Sequence, residues 1–198
     1  MLTNFAFILN DLLLIEKELE KCKIELLEQE DFSYKKALEF FLNYLNAQNQ
    51  QNIEEFASIF KPLSIKGRKQ ANDFLYQKDV KQEISEITLI KIGKVFKMTF
   101  DSLSYQEHYN QLLFDKMTPI QVLFQYIDIH QKGKILADDL LNFLSKYFFQ
   151  NREFDTKFDI EEVQLLLSKY DKLGYGFLLQ TNLDQAFLPK KLYSRYHY

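Results

Sequence analysis

Two aspartates, Asp128 and Asp171, are the residues whose surroundings point most clearly to a chemical role. Each follows a stripe of apolar residues at helical spacing, and each is followed five residues later by a glycine. A carboxylate is one of the oxygen ligands that hard divalent cations take, so the side chains that follow each aspartate decide whether a cation site is present.

Motifs for catalysis are absent from the sequence. The histidines, His108, His130 and His197, lie outside any HExxH motif or Cys/His cluster, and no glycine-rich nucleotide motif or GxSxG motif occurs. The single cysteine, Cys22, excludes an internal disulfide framework and favours a reducing compartment. We expect no catalytic residues, no enzymatic activity and no cofactor other than a calcium ion. An active site assembled from residues distant in sequence stays open.

The composition describes a folded chain without a preference for nucleic acid. Of 198 residues, 46% are hydrophobic, 5 are Gly and 3 are Pro, and the net charge is −3. So few turn-forming residues argue against an all-β fold, and the mixed charges offer no basic face to phosphates. The N-terminal apolar stretch is interrupted by Asn10 and Asp11, so it predicts neither a signal peptide nor membrane insertion.

The N-terminal segment, residues 1–30, is the most periodic part of the chain and predicts a long amphipathic helix. Its apolar residues recur at alternating steps of three and four, which is the spacing of a helical seam. The seam residues are Phe5, Ile8, Leu12, Ile15, Leu19, Cys22 and Leu26. Two interpretations stay open: the seam lies on the protein's own core, or it faces a partner helix.

The rest of the chain predicts further helices and no strand pairing beyond short bridges, so the predicted fold class is all-α. Three regions follow the N-terminal helix: a helical domain over 32–114, a second over 117–190, and a tail over 191–198. Ser104 and Glu107 have the spacing of a capping box, which predicts that a new helix begins there.

One pattern surrounds both aspartates and occurs twice in tandem. Apolar residues lie eight, five, four and one positions before each aspartate. Counting the aspartate as one, Gly133 and Gly176 take position six, where a sharp turn needs a positive φ, and Ile135 and Leu178 take position eight. This pattern resembles the EF-hand, in which a twelve-residue loop joins two helices.

The resemblance implies that residues 117–190 form an EF-hand pair, the C-terminal lobe, with a first loop over 128–139 and a second loop over 171–182. In this family the residues at position eight bridge the two loops, and the helices surround an apolar groove that accepts a partner helix. The residues implied to form the lobe core and this groove are Phe124, Ile127, Ile135, Phe143, Leu144, Leu167, Leu178 and Phe187.

The ligand positions of both loops lack most of the oxygens that calcium needs. In the first loop Asp128 and Asp139 hold positions one and twelve, but Lys132 brings an ammonium to position five, where it would repel an ion. His130, at position three, is expected to be solvated. The second loop keeps only Asp171 as a carboxylate. We expect weak or vestigial binding in the first loop and none in the second.

A fainter copy of the pattern lies upstream, around Asn46. The candidate loop there is two residues short of twelve and has no glycine at position six. A degenerate hand and a plain helical hairpin are both open. If it is a hand, residues 32–114 form a second, degenerate lobe, and the whole chain is similar to calmodulin, centrin and the myosin light chains.

The resemblance implies a binding function rather than a catalytic one. EF-hand lobes bind amphipathic helices, and this chain has 19 Phe and 12 Tyr but only 3 Met, which gives a stiffer lining suited to one permanent partner. We therefore expect a structural or adaptor subunit that constitutively binds an amphipathic helix of another protein in a multi-subunit, cytoskeletal assembly. The resemblance also suggests a cytoplasmic location, with the axoneme of a cilium as one candidate.

Three alternatives accompany this expectation. The protein could be a calcium sensor of the calmodulin type that uses the 128–139 loop. It could be a coiled-coil assembly protein that uses the N-terminal seam. A third arrangement is internal: the N-terminal helix could fold back and occupy the groove of its own chain.

Overall fold

The computed structural model of the chain describes residues 2–44, 58–64, 66–69, 71, 83–115, 119–149 and 158–188. Within these residues all regular secondary structure is helical, which confirms the all-α prediction, and the one β-bridge is isolated. No helix in this part of the chain is both long and apolar enough to cross a membrane. The helices are α1 Leu2–Leu27, α2 Tyr34–Tyr44, α3 Glu86–Asp115, α4 Ile120–Ile127, α5 Ala137–Phe149, α6 Ile160–Tyr170 and α7 Gln180–Phe187.

The chain divides into two compact units. Unit 1 comprises Met1–Lys17 and Ser102–Tyr198, and unit 2 comprises Glu18–Asp101. These limits differ from the predicted division into a helix over 1–30 and a domain over 32–114. The reason is that α1 and α3 each contribute residues to both units and to both hydrophobic cores.

Helix α3 is continuous, and the predicted start of a new helix at Ser104 is wrong. Beyond Gly93 the helix contains neither glycine nor proline, so its backbone has no residue that would end it. Ser102 and Asn110 are buried. Packing of this segment therefore outweighs the local capping preference of Ser104.

Asp31 fixes the start of α3. Its carboxylate accepts hydrogen bonds from the backbone N–H of Ser85 at 2.6 Å and from the hydroxyl of Thr88 at 2.5 Å. Burial raises the pKa of Asp31, but the hydrogen bonds from Thr88 and Ser85 outweigh this effect and lower the pKa to about 2. The ionised form of Asp31 is therefore the form that holds the helix start.

The core of unit 2 forms around the second half of α1. Leu19, Cys22 and Leu26 of the seam are buried there against residues of α2 and α3, together with Phe60. The carboxylate of Glu20 accepts hydrogen bonds from Leu63 and Ser64, which fixes the chain before the short helical segment 66–69. The upstream candidate loop that begins at Asn46 lies outside the described residues.

The core of unit 1 combines the first half of α1 with the C-terminal lobe. Helix α4 packs against α7, and α5 packs against α6. The apolar stripes recognised in the sequence face inward on these helices, since a stripe at helical spacing removes the most apolar surface from water when it meets another stripe. The buried stripe residues of α4 and α6 are Ile120, Leu123, Phe124, Ile127, Val163, Leu166, Leu167 and Tyr170.

Candidate functional site

The two loops of the C-terminal lobe are joined side by side. Ile135 and Leu178 exchange backbone hydrogen bonds, with N···O distances of 2.8 and 2.9 Å, and form an antiparallel bridge. Both side chains are buried in the core of unit 1. The bridge therefore connects two helix–loop–helix segments, α4–α5 and α6–α7, at the residues that the sequence placed at position eight.

Each loop has a left-handed backbone at the glycine of position six. Gly133 and Gly176 have φ values of 71° and 77°, in the left-handed region that other residues rarely adopt. The backbone N–H of Gly133 donates to Asp128 at 2.7 Å, and that of Gly176 donates to Asp171 at 2.6 Å. The aspartate that begins each loop thus accepts a hydrogen bond across the turn from position six.

The two carboxylates of the first loop accept hydrogen bonds from backbone N–H groups of the same loop. Asp128 and Asp139 are only 4% and 6% exposed. Asp128 also accepts a hydrogen bond from the backbone N–H of Lys132 at 2.9 Å, and Asp139 accepts one from Leu136 at 3.0 Å. The Lys132 ammonium lies 3.5 Å from the second oxygen of Asp139. His130 is exposed.

The second loop is closed without a charge at position twelve. The amide of Asn182 accepts from the N–H of Leu179 at 2.8 Å and donates to the carbonyl of Tyr170 at 3.3 Å. Leu173 and Tyr175, at the ligand positions three and five, are exposed. These side chains have no oxygen suited to a hard cation apart from a neutral phenol, so the second loop does not fit calcium.

The first loop does not fit calcium either. An ion held by Asp128 and Asp139 would approach the Lys132 ammonium, and the side chains at positions three and five, His130 and Lys132, supply no oxygen ligand. Within the described residues, no group of three or more His, Cys, Asp or Glu side chains could hold a metal ion. The sequence-predicted ligands Asp128 and Asp139 belong to one loop and Asp171 to the other, and each of them stabilises its own turn.

Helix α1 covers the apolar interior of the C-terminal lobe. Phe5 is fully buried, and its ring centroid lies 5.2 Å from that of Phe187 and 6.2 Å from that of Phe143. All eight residues predicted to line the lobe core and groove are buried in this same cluster, together with Ile8, Leu9 and further residues of α1. Residues of α1 therefore pack in the same cluster as the residues predicted for the lobe core and groove.

Two ion pairs fasten α1 to α6. The carboxylate of Glu16 accepts from the ammonium of Lys169 at 2.6 Å and from the hydroxyl of Ser102 at 2.5 Å, and Glu16 is buried. Lys17 pairs with Glu162, two turns earlier on α6. The two pairs have opposite polarity, since α1 supplies the acid to one pair and the base to the other.

Sequence reasoning did not identify this pair. Glu16 follows Leu12 by four residues and therefore lies on the seam side of α1, which is the one available signal that it is buried. Lys169 is 153 residues away, and nothing local connects the two. Burial, together with the charge of Glu16, raises the pKa of Tyr170 well above its usual value.

Side chains of α3 bind two other helices of unit 1, the last turn of α7 and the middle of α1. The amides of Gln106 and Asn110 donate to the carbonyl of Ala186, at 2.6 and 2.9 Å, and so satisfy a free carbonyl in the last turn of α7. The hydroxyl of Tyr105 donates to Asp11 of α1. Through these bonds α3 connects α1 to α7 within unit 1.

The candidate site therefore consists of two bridged loops with internally satisfied carboxylates, above an apolar core that α1 covers. Comparisons with protein-family models, with curated proteins and with solved structures found no match to the chain.

Proposed function

We propose that this protein is a non-catalytic, EF-hand-like structural or adaptor subunit whose C-terminal lobe stays closed without calcium. The observation that carries the proposal is the first loop, in which Asp128 and Asp139 bind donors of their own chain. Support for the EF-hand relationship comes from the Ile135–Leu178 bridge and from the left-handed glycine at position six of both loops.

The closed state is supported by the position of α1. Phe5 and Leu12 are fully buried in the lobe core, and Glu16 binds Lys169. Opening the lobe would expose these apolar side chains to water and separate Glu16 from Lys169. A constitutively closed lobe acts as a fixed structural part rather than as a switch.

The geometry favours the chain's own helix over one from another protein. A foreign amphipathic helix could enter the lobe only after α1 had left it, since both need the apolar surface around Phe143 and Phe187. We therefore place α1 in the role of the clamped helix, with binding to other subunits outside this core. Membership of a larger cytoskeletal assembly, including an axoneme, is part of the same proposal and rests on the family resemblance alone.

Two other functions are less well supported. A calcium sensor that uses the 128–139 loop is favoured by the two carboxylates at the ends of that loop. The positive charge of Lys132, beside Asp139, opposes calcium binding there. A coiled-coil assembly protein needs a free seam, whereas the seam residues Phe5, Leu12 and Leu19 are buried in the hydrophobic cores.

Isothermal titration of the full chain with calcium, in buffer containing Mg²⁺, tests the proposal. We expect no binding tighter than about 10⁻⁴ M, which is the weak end of the range for EF-hands. The triple variant His130→Asp, Lys132→Asp, Asp139→Glu, which restores oxygen ligands at positions three, five and twelve, is the positive control. A micromolar site in the natural protein would overturn calcium independence and favour the sensor.

A further inference from the structure

The two loops of the lobe differ in the side chain at position twelve and in the groups that this side chain contacts. The first loop has a carboxylate there, Asp139, and a lysine at position five. The second loop has an amide at position twelve, Asn182, and Tyr175 at position five. Position five is thus a lysine in the loop whose twelfth residue is charged. It is an uncharged tyrosine in the loop whose twelfth residue is neutral.

Lys132 connects the two ends of the first loop. Its backbone N–H donates to Asp128 at 2.9 Å, while its ammonium lies 3.5 Å from Asp139. In a calcium-loaded loop the ion makes this connection, because it is bound by positions one and twelve together. One residue of this chain therefore contacts both of the carboxylates that an ion would join.

The buried charge of Asp139, in the first turn of α5, favours this contact. A buried carboxylate without a counter-charge is strongly unfavourable, and one backbone hydrogen bond, from Leu136, reaches only one of its two oxygens. The ammonium of Lys132 is the group that lies beside the other oxygen. The neutral Asn182 of the second loop reaches a backbone carbonyl instead and needs no cation.

We propose that Lys132 is the resident cation of the 128–139 loop: its ammonium takes the place of a divalent ion and holds the loop closed. The consequence is a loop that is fixed in one state by its own sequence and not by the calcium concentration. This inference deepens the proposed calcium independence and rests on it.

Urea unfolding in excess chelator, followed by circular dichroism, tests the structural half of this proposal. Lys132→Met keeps the length of the side chain and removes its charge, and Lys172→Met removes an exposed lysine of the second loop as the matched control. We expect Lys132→Met to raise the unfolding equilibrium constant about tenfold, or about 1.4 kcal/mol, and the control to leave it nearly unchanged. Adding Asp139→Asn to Lys132→Met should recover most of the loss.

Equal stability of Lys132→Met and Lys172→Met would overturn the proposal, as would a double variant no more stable than Lys132→Met alone. If Lys132→Met does not fold, the double variant decides: a folded double variant supports the proposal and an unfolded one contradicts it.

A second measurement tests whether the ammonium occupies a cation position. Lys132→Asp places a third carboxylate in the first loop, so we expect calcium at about 10⁻³ M to raise its melting temperature, and not that of Lys172→Asp. The absence of any calcium effect on Lys132→Asp would contradict the proposal. If the natural protein itself responds to calcium, the proposed function fails, whereas the comparison in chelator still decides the role of Lys132.

Discussion

The ring of Phe5 in α1 meets the ring of Phe187 in α7 edge to face, with centroids 5.2 Å apart and an interplanar angle of 76°. Edge-to-face contact is a favoured arrangement of aromatic pairs, and here it joins the N-terminal helix to α7. This contact makes α1 part of the C-terminal lobe and leads to the first prediction.

Phe5→Ala should destabilise unit 1 by about 3–5 kcal/mol, which is the usual cost of removing a fully buried phenylalanine ring. Phe143→Ala, in the same cluster, should cost a similar amount. Ile87→Ala is the control, because Ile87 is 64% exposed and should change the free energy of unfolding by less than about 0.5 kcal/mol. Urea denaturation followed by circular dichroism measures all three, and a Phe5→Ala variant as stable as Ile87→Ala would mean that α1 does not cover the lobe.

The Glu16–Lys169 pair should behave as a buried ion pair. Removing the charge of Glu16 alone, in Glu16→Gln, leaves the Lys169 ammonium without its counter-charge and should cost about 3–5 kcal/mol. The double variant Glu16→Gln, Lys169→Met should be more stable than Glu16→Gln. Lys97→Ala breaks an exposed pair with Asp101 and should cost at most about 0.5 kcal/mol. A double-mutant cycle without coupling would contradict a buried pair.

Acid should weaken the contact of Asp31 with the start of α3. The folded-state pKa of about 2 lies below the ordinary value of 3.8, so between these values the unfolded chain binds more protons than the folded one. The contribution of Asp31 is therefore complete above the ordinary pKa and is lost as the pH falls toward 2. Stability measured against pH should fall less steeply in Asp31→Asn than in the natural protein, and parallel curves would contradict the assignment.

Gly176→Ala and Gly93→Ala should have opposite effects, although an added methyl group meets nothing within 4 Å at either site. Gly176 has a φ of 77°, so a Cβ should cost about 1–2 kcal/mol in backbone strain. Gly93 lies inside α3, where alanine should stabilise the helix by about 0.5–1 kcal/mol. Thermal unfolding separates the two, and equal effects would mean that the second loop does not need its left-handed turn.

Local pattern predicted the parts of this structure that depend on local chemistry. A stripe of apolar residues, a glycine where φ must be positive and an aliphatic residue two positions later are close in sequence, so their spacing alone predicts two helix–loop–helix segments. The seam of α1 was equally clear. A seam, however, shows only that one face is buried, and it does not show that Phe5 meets Phe187 rather than another protein.

Relationships between distant residues were not predictable. Glu16 and Lys169 attract each other only after the fold has brought α1 beside α6. The residues adjacent to each of them in sequence do not predict the pair. The error at Ser104 has a related cause, because its capping preference is local and weak, whereas the packing of Ser102 and Asn110 involves the whole unit. The Lys132–Asp139 contact is an intermediate case. The position of Lys132 in the loop predicts that it repels a divalent ion, but its contact with Asp139 depends on the folded loop.

The amide hydrogen exchange of residues 5–13 of α1, measured in excess calcium and in excess chelator, tests the central claim most directly. These residues bury their apolar side chains in the lobe core, so their exchange reports whether the lobe is closed. If the lobe is closed by α1 and held without metal, protection should be strong and the same under both conditions. Faster exchange of these amides in calcium would show that the ion opens the lobe, and the protein would then be a sensor.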